Sequence, residues 1–340
     1  MSEYVVKKDE LLLALKSAQP GLSAKETLEQ ATCFVFKDGY VITYNDYLSI
    51  RAPVSELDGL TGAINGLELL SFIEKAPQDE LVFTKKEGEI QIKSGRARVG
   101  LRLLEEVKLP IEELFYEKEW ENLPDDFLDG IEIALYSCSK DSSRPALTCI
   151  HIKDGTMESL DNIRLTRYSM ESLMGGVDVL LPAVAAEKIL KYALSQFHVA
   201  AEGSWMHFLT KENIEISCRL IKGKIPDISP LMIGTGLDFT FPKKVTEMLD
   251  RALVFCQREH MLDQEVEVML STKKITVKAK SSEGWFEEEA AVRYEGDAFS
   301  FIIHPIFLKE AIQRQTLCTV LSNRIRFQSN NWDHVIAMKV

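Results

Sequence analysis

Three consecutive carboxylates, Glu287-Glu288-Glu289, come nearest to chemistry in this 340-residue chain. Carboxylates that share a divalent cation activate water for phosphodiester cleavage. The competing reading, a strand edge protected by charge or an ion-pairing surface, is the stronger one, because no second carboxylate cluster stands at a spacing that would complete such a site. Gly234-Thr235-Gly236 lacks the third glycine and the preceding strand of a dinucleotide site and reads as a linker. No G-x-x-x-x-G-K-[S/T] loop occurs. The six histidines (151, 198, 207, 260, 304, 334) show neither H-x-x-x-H nor H-x-H spacing, so no metal site is expected. The six cysteines (33, 138, 149, 218, 256, 318) form no C-x-x-C, and three fall inside apolar strand patterns; buried thiols in a reducing cytoplasm are the expectation. With no catalytic constellation, no cofactor and no metal expected, the chain leans toward a binding protein or scaffold and away from an enzyme.

The elements that must position any site repeat. Thr-Cys-Phe-Val-Phe-Lys-Asp-Gly at 32–39 recurs as Thr-Cys-Ile-His-Ile-Lys-Asp-Gly at 148–155, an offset of 116 residues with five of the eight positions identical. Helix-like stretches begin near Asn65, Pro182 and Pro305, and each leads into a strand pattern carrying a serine: Ser94, Ser217 and Ser329. A unit of roughly 110–120 residues occurring three times is far longer than a solenoid repeat, so each copy is expected to be a domain with its own core. The domains expected are 1–115, 116–233 and 234–340. In the first copy, 8–19 reads as a helix by its stripe Leu11, Leu12, Leu15 and Ala18. Asp38-Gly39 turns a hairpin, 65–76 is a second helix, and strands return at 81–84, 89–93 and 98–103. The second copy carries a weak helix within 124–139 and a better one at 183–194; the third opens with a helix from Pro242 and has another at 305–313. The fold class is α+β, two helices on a largely antiparallel sheet per copy.

A formal net charge of −12 argues against a protein that coats nucleic acid, since phosphate binding is driven by Lys and Arg. It leaves room for one basic surface, because net charge does not decide what a local patch binds. Lys7, Lys8 and Lys16, then Lys188 and Lys191, Lys243, Lys244 and Arg251, and Lys309 and Arg314 fall on the solvent faces of helices. A solvated face is the default reading of such charge, and with Glu187, Glu247 and Glu310 interspersed, periodicity alone does not establish a phosphate-binding surface. The first ten residues hold no hydrophobic signal region, and no apolar run is long enough to span a bilayer. A cytoplasmic protein without a membrane partner is expected.

Several stretches resemble one family. Ile92-Lys-Ser-Gly-Arg-Ala-Arg-Val-Gly-Leu resembles a Ser-Gly-Arg-x-Arg segment that ends its first domain. Ser143-Arg-Pro-Ala-Leu and then Leu160-Asp-Asn-Ile-Arg-Leu resemble its Arg-x-x-Leu followed by Thr-Asp-Gly-His-Arg-Leu. Gly223-Lys-Ile-Pro-Asp-Ile resembles the Gly-x-Phe-Pro-Asp-Tyr that closes its second domain. In this order, laid on the internal repeat, they make nearly the whole chain similar to the bacterial beta sliding clamp, the DNA polymerase III beta subunit and processivity factor of the replicative polymerase. Leu160 stands in place of the usual threonine, Asn162-Ile163 in place of Gly-His, and the chain ends Ile336-Ala-Met-Lys-Val where the family usually has Met-Pro-Met-Arg-Leu. These departures mark a divergent member, of the kind a bacteriophage or other mobile element would carry.

The resemblance implies three tandem DNA-clamp domains, two copies of which pair head to tail into a six-domain ring around duplex DNA. Such a ring needs weak, mobile phosphate contacts and no base readout. It implies double-stranded DNA, a DNA polymerase, a clamp loader and a second copy of the chain as partners. DNA contacts are expected at Lys25, Lys140, Arg144, Lys188, Lys191 and Arg251. Glu68, Ala183 and Val184 occupy positions where further basic residues would be expected. The subunit interface is expected to set Arg96, Arg98, Val99 and Leu101 against Val254, Phe255, Glu287 and Glu288 of the second copy, an apolar centre with an oppositely charged rim. A partner peptide carrying a glutamine and then Leu and Phe anchors is expected between the second and third domains, at Leu147, Leu165, Pro226, Leu231, Phe307, Ile336 and Met338, with Lys339 at the rim. The alternatives are a clamp-like assembly scaffold that never encircles DNA, and a metal-dependent nuclease using Glu287–Glu289.

Overall fold

The computed structural model describes residues 3–26, 28–256 and 263–340; of the six histidines, His260 lies outside them. Seven α-helical segments lie among the described residues: α1 Lys8–Ala18, α2 Gly66–Lys75, α3 Phe127–Ala134, α4 Ala183–Ile189, α5 Ser229–Met232, α6 Lys244–Leu253 and α7 Pro305–Arg314. The remainder is built on antiparallel strands, so the mixed α+β class holds. Two compact units emerge, Met1–Leu123 with Val179–Lys222, and Pro124–Asp178 with Gly223–Val340. Each therefore takes one part of the middle repeat.

In the first unit a four-stranded sheet runs in the order Glu3–Lys7, Glu80–Lys86, Glu89–Ser94 and Ala97–Arg102. An eight-stranded sheet runs Gly62–Asn65, Cys33–Lys37, Tyr40–Tyr44, Leu48–Pro53, Glu215–Arg219, Trp205–Thr210, Leu194–Val199 and Glu121–Asn122. The repeats join where Leu48–Pro53 pairs with Glu215–Arg219, setting Ile50 opposite Ile216. The hairpin at Asp38-Gly39 forms because both residues adopt positive φ, 51° and 74°, the geometry of a turn matched to strand twist and natural to Asp-Gly. Asp154 repeats it with φ 49°. Helix α1 buries Leu11, Ala14, Leu15 and Ala18, and α2 is capped by the Asn65 side chain, which accepts from the amides of Leu67 and Glu68. One face of the eight-stranded sheet is covered by the 104–121 segment, whose Leu109, Ile111 and Leu114 pack on Val35, Ile42 and Tyr44.

The helix expected over 183–194 is shorter than its periodicity indicates. It ends at Ile189, and Leu194 already begins a strand. Amides of Lys191 and Tyr192 bond three residues back, to Lys188 and Ile189, tightening the last turn. The buried Tyr192 then anchors the chain by donating its hydroxyl to the Ser17 carbonyl at 2.6 Å. Lys191 thus lies in a turn beyond the helix.

In the second unit, Cys149–Lys153, Thr156–Leu160, Arg164–Ser169, Trp332–Ala337, Arg324–Gln328, Leu317–Val320 and Leu237–Thr240 lie side by side in that order. A second sheet runs Trp285–Ala291, Lys274–Lys280, Val266–Ser271 and Phe299–Ile303. Helix α6 buries Val245, Met248, Leu249 and Ala252, as its stripe predicts. All six cysteines are buried thiols. Burial pushes the Cys149 thiol up to about 11, which suits an inert core residue. Among the described residues no helix is long and apolar enough to cross a membrane.

Candidate functional site

Glu287, Glu288 and Glu289 lie on Trp285–Ala291, an edge strand. Successive strand residues point to opposite faces, so three in a row cannot converge on one ion. Glu287 pairs with Lys278 at 3.2 Å and Glu289 with Lys274 at 2.8 Å. Glu288, on the other face, takes a bidentate contact from Arg251 at 2.7 and 2.9 Å, with Lys244 at 3.6 Å. The hydrogen bond from Arg251 holds the Glu288 carboxyl below the usual range. Among the described residues no group of three or more His, Cys, Asp or Glu is placed to hold a metal ion.

The candidate subunit-contact residues fall on two edges that are unpaired among the described residues. Arg98, Val99 and Leu101 belong to Ala97–Arg102, an outermost strand of the first unit's smaller sheet; Arg96 sits in the turn before it. Val99 and Leu101 are half-buried on one face while Arg98 and Arg102 are exposed on the other. Val254, which caps α6, is 65% exposed, whereas Phe255 is half-buried and stacks on Phe286 with centroids 6.3 Å apart. Glu287 and Glu288 face opposite sides of their strand, so only one of them can share a surface with any given partner face. Trp285–Ala291 is the charge-protected strand edge that Glu287–Glu289 indicate, whereas the edge position of Ala97–Arg102 was not read from the sequence.

Of the six candidate DNA contacts, Lys25, Lys140, Arg144, Lys188 and Lys191 are exposed. The guanidinium of Arg144 donates to Asn162 at 3.3 Å. Arg251 differs: its charge is already compensated by Glu288 and by Glu247 at 3.9 Å. Lys16 is paired with Glu74 and Lys309 with Asp250, which further thins the positive charge on helix faces.

The candidate peptide site centres on the second unit. Leu165 stands directly across from Val335 and packs with Ile228 and Met232, with Leu160 alongside. Ile228 and Met232 flank and end α5, on the segment that also carries the exposed Pro226 and the 45%-exposed Leu231. Leu147, half-buried, lies on the short helical turn Pro145–Thr148. The other candidates face elsewhere. Thr166 and His334, bonded at 2.8 Å, line a crevice with residues of α3 and α7, which marks the helix-facing side of the sheet. By alternation Ile336 points to that side and is fully buried. Phe307, on α7, is buried under the Arg164 guanidinium, 3.7 Å from the ring centre. Lys339 pairs with Glu265, and its backbone exchanges hydrogen bonds of 2.7 and 2.9 Å with Ile302. Val335, Ile228 and Met232 were missed by sequence reasoning, although the alternation along 332–337 and the apolar spacing after Pro226 carried the signal; Leu160 was noted only as a departure from the family pattern.

Neither a family model nor a curated protein matches the chain. Solved structures do. The chain is similar to the DNA polymerase III beta chain from Streptococcus pneumoniae TIGR4 at 18% identity and a TM-score of 0.87, with 100% of both chains covered. It is similar to a DnaN sliding clamp from Bartonella birtlesii bound to griselimycin at 15% identity and a TM-score of 0.87, with 99% of both covered. A putative DNA polymerase III beta subunit from Eubacterium rectale matches at 14% identity, a TM-score of 0.84 and 99% of both. What is shared at such identity is the architecture: the chain has, end to end, the fold of the DNA polymerase III beta subunit sliding clamps.

Proposed function

We propose that this protein is a sliding clamp: a non-enzymatic processivity factor that closes around duplex DNA as a head-to-tail homodimer and tethers a replicative DNA polymerase. The observation that carries the reading is the fold match over the full length of both chains to several beta subunits. Three clamp domains, 1–115, 116–233 and 234–340, are proposed within the two compact units, since the repeated hairpin and helices recur on that spacing. The edges Ala97–Arg102 and Trp285–Ala291 carry opposite charge, which suits antiparallel pairing between two copies. Lys25, Lys140, Arg144, Lys188 and Lys191 are the proposed phosphate contacts, with Arg251 the weakest candidate. The partner peptide of the polymerase or loader is proposed to dock at the exposed Leu231 and Pro226, which stand over the buried cluster of Leu165, Val335, Ile228 and Met232; Leu147, Phe307, Ile336, Met338 and Lys339 are proposed for it by the resemblance alone. A cytoplasmic location at the replication fork follows from this role.

The test is topological. A ring retained on nicked circular DNA should be released when the circle is cut, and sedimentation should give a dimer. Monomers in solution that never become trapped on circles would instead favour the clamp-like scaffold that does not encircle DNA.

A further inference from the structure

A helix of four residues cannot hold itself. Ser229–Met232 closes at most a single turn, so its geometry must be imposed from outside. Two arginines impose it. At the C-terminal end, Arg324 Nε donates to the Leu231 carbonyl at 3.1 Å and its Nη2 to the Ile233 carbonyl at 2.7 Å. A cation at this end also suits the helix dipole. At the other end, Arg167 Nη2 donates to the Ser229 hydroxyl at 2.9 Å. Arg167 is itself braced by Glu158, which accepts from Nε at 2.7 Å and lies 2.6 Å from Nη2. The Ser229 amide donates to Asp227 at 2.9 Å.

All of this stands on one face of the sheet. Register sets Leu165 opposite Val335, Arg326 opposite Val335 from the other side, and Arg324 opposite Ala337. Leu165, Arg167, Val335, Arg324 and Arg326 therefore share the face that α5 covers. Ala337 leaves the guanidinium of Arg324 room to cross to the carbonyls. The result is an apolar floor of Ile228 and Met232 against Leu165 and Val335, with Leu231 held outward between the two arginine anchors.

We propose that Arg324 and Arg167 are positioning residues that lock α5 and so set the affinity of this surface for a partner peptide. The inference rests on the proposed peptide site and deepens it. A preformed rim spares the peptide the cost of ordering it, and an unlocked one does not. The planar fork of Arg324 spans two carbonyls at fixed geometry; a lysine ammonium keeps the charge without that fork.

The experiment uses the full chain and two readouts. The probe is a fluorescein-labelled synthetic peptide in which a glutamine is followed by adjacent Leu and Phe, read by anisotropy. Hydrogen exchange is followed in parallel at the amides of Ser229, Leu231, Met232 and Ile233. Arg324→Ala should weaken the peptide about tenfold and speed exchange at those amides by a similar factor, leaving Arg164–Ser169 unchanged. Arg324→Lys should fall between it and the wild type. Wild-type peptide binding that Arg324→Ala leaves unaltered, with exchange also unaltered, overturns the inference and leaves the peptide site standing. A wild-type chain that ignores the peptide overturns both.

Discussion

Leu165 and Val335 sit directly opposite each other on antiparallel strands drawn from distant parts of the chain, and α5 closes over the pair. Because Leu165 is only 5% exposed, truncating it removes core as well as any binding surface. Leu165→Ala should cost about 3 kcal/mol of stability. Leu231, at 45% exposure, separates the two effects. Leu231→Ser should weaken polymerase binding several-fold while the melting temperature moves little. Equal loss of stability in both variants, by calorimetry, would show that Leu231 is structural.

The chain terminus carries a second consequence. Lys339 exchanges two backbone hydrogen bonds with Ile302, and Met338 donates its amide to Asn323 at 3.0 Å. Removing 338–340 therefore strips pairing from Phe299–Ile303 and also takes away Met338, one of the residues proposed for the peptide site. Such a truncation should abolish polymerase binding and cost about 2 kcal/mol of stability, whereas Lys339→Ala should remove only the exposed ion pair with Glu265 and leave the unfolding midpoint essentially unmoved. Urea titration of the two variants distinguishes these outcomes.

Val254 is the cleaner probe of ring closure. Phe255 is half-buried and stacks on Phe286, so charging it would damage the fold locally. Val254→Glu places a charge at a 65%-exposed site and should give folded monomers, with unchanged circular dichroism and a halved sedimentation mass. A variant that remains dimeric would move the interface away from the end of α6.

Local structure was legible because its signals are local. The duplicated Asp-Gly turn and the stripe of α6 act within a few residues and stand where their patterns place them, and the helix read from 65 starts one residue on, with Asn65 as its cap. The junctions were not. Nothing in the period of 48–53 or 215–219 announces that Ile50 will face Ile216, since register between distant strands is set by tertiary pairing. The same limit governs the peptide site. Similarity along the chain picked Ile336; alternation from the Leu165–Val335 pair sets Ile336 on the helix side and its neighbour on the face that α5 covers. Charge pairing is hidden for a related reason: Arg251 lies on a solvent face by helical period, yet a strand remote in sequence brings Glu288 to it.

That pairing shapes the DNA prediction. Neutralising Lys25, Lys140 and Lys191 to Gln should reduce the salt slope of DNA retention by about 0.9 for each phosphate interaction removed, with the dimer intact. Arg251→Gln should change the slope by less than any of these, because its charge is already offset by Glu288. Retention on circular DNA across a salt series measures both. A larger effect from Arg251 than from the three lysines would show that the ion pair opens when DNA is bound.

Two buried histidines make stability depend on pH in a stated window. His334 accepts or donates at Nδ1 to Thr166 inside the second unit, and burial pushes its pKa down to about 3. His207 is fully buried beside Ser217 in the first unit; burial and then the Lys118 charge push it down to about 3. Unfolding returns each to a value near 6.5, so the unfolded chain binds protons that the folded one refuses. Stability is therefore full above that value and falls as pH drops toward 3, by about 1.4 kcal/mol per unit for each histidine. His151 works the other way. Its pKa is raised, first by the Glu158 carboxylate 3.8 Å from Nδ1 and then by Asp178, which bonds Nε2 at 2.8 Å, so its contribution is present at low pH and disappears as pH rises through the raised value. Between about pH 5 and 6.5 the two buried rings outweigh it. Urea unfolding across that range should show stability falling with acid, and His334→Gln with His207→Gln should flatten the slope even if both lower the plateau. An unchanged slope in the double variant would show that protonation of these two rings does not set the acid sensitivity in that range.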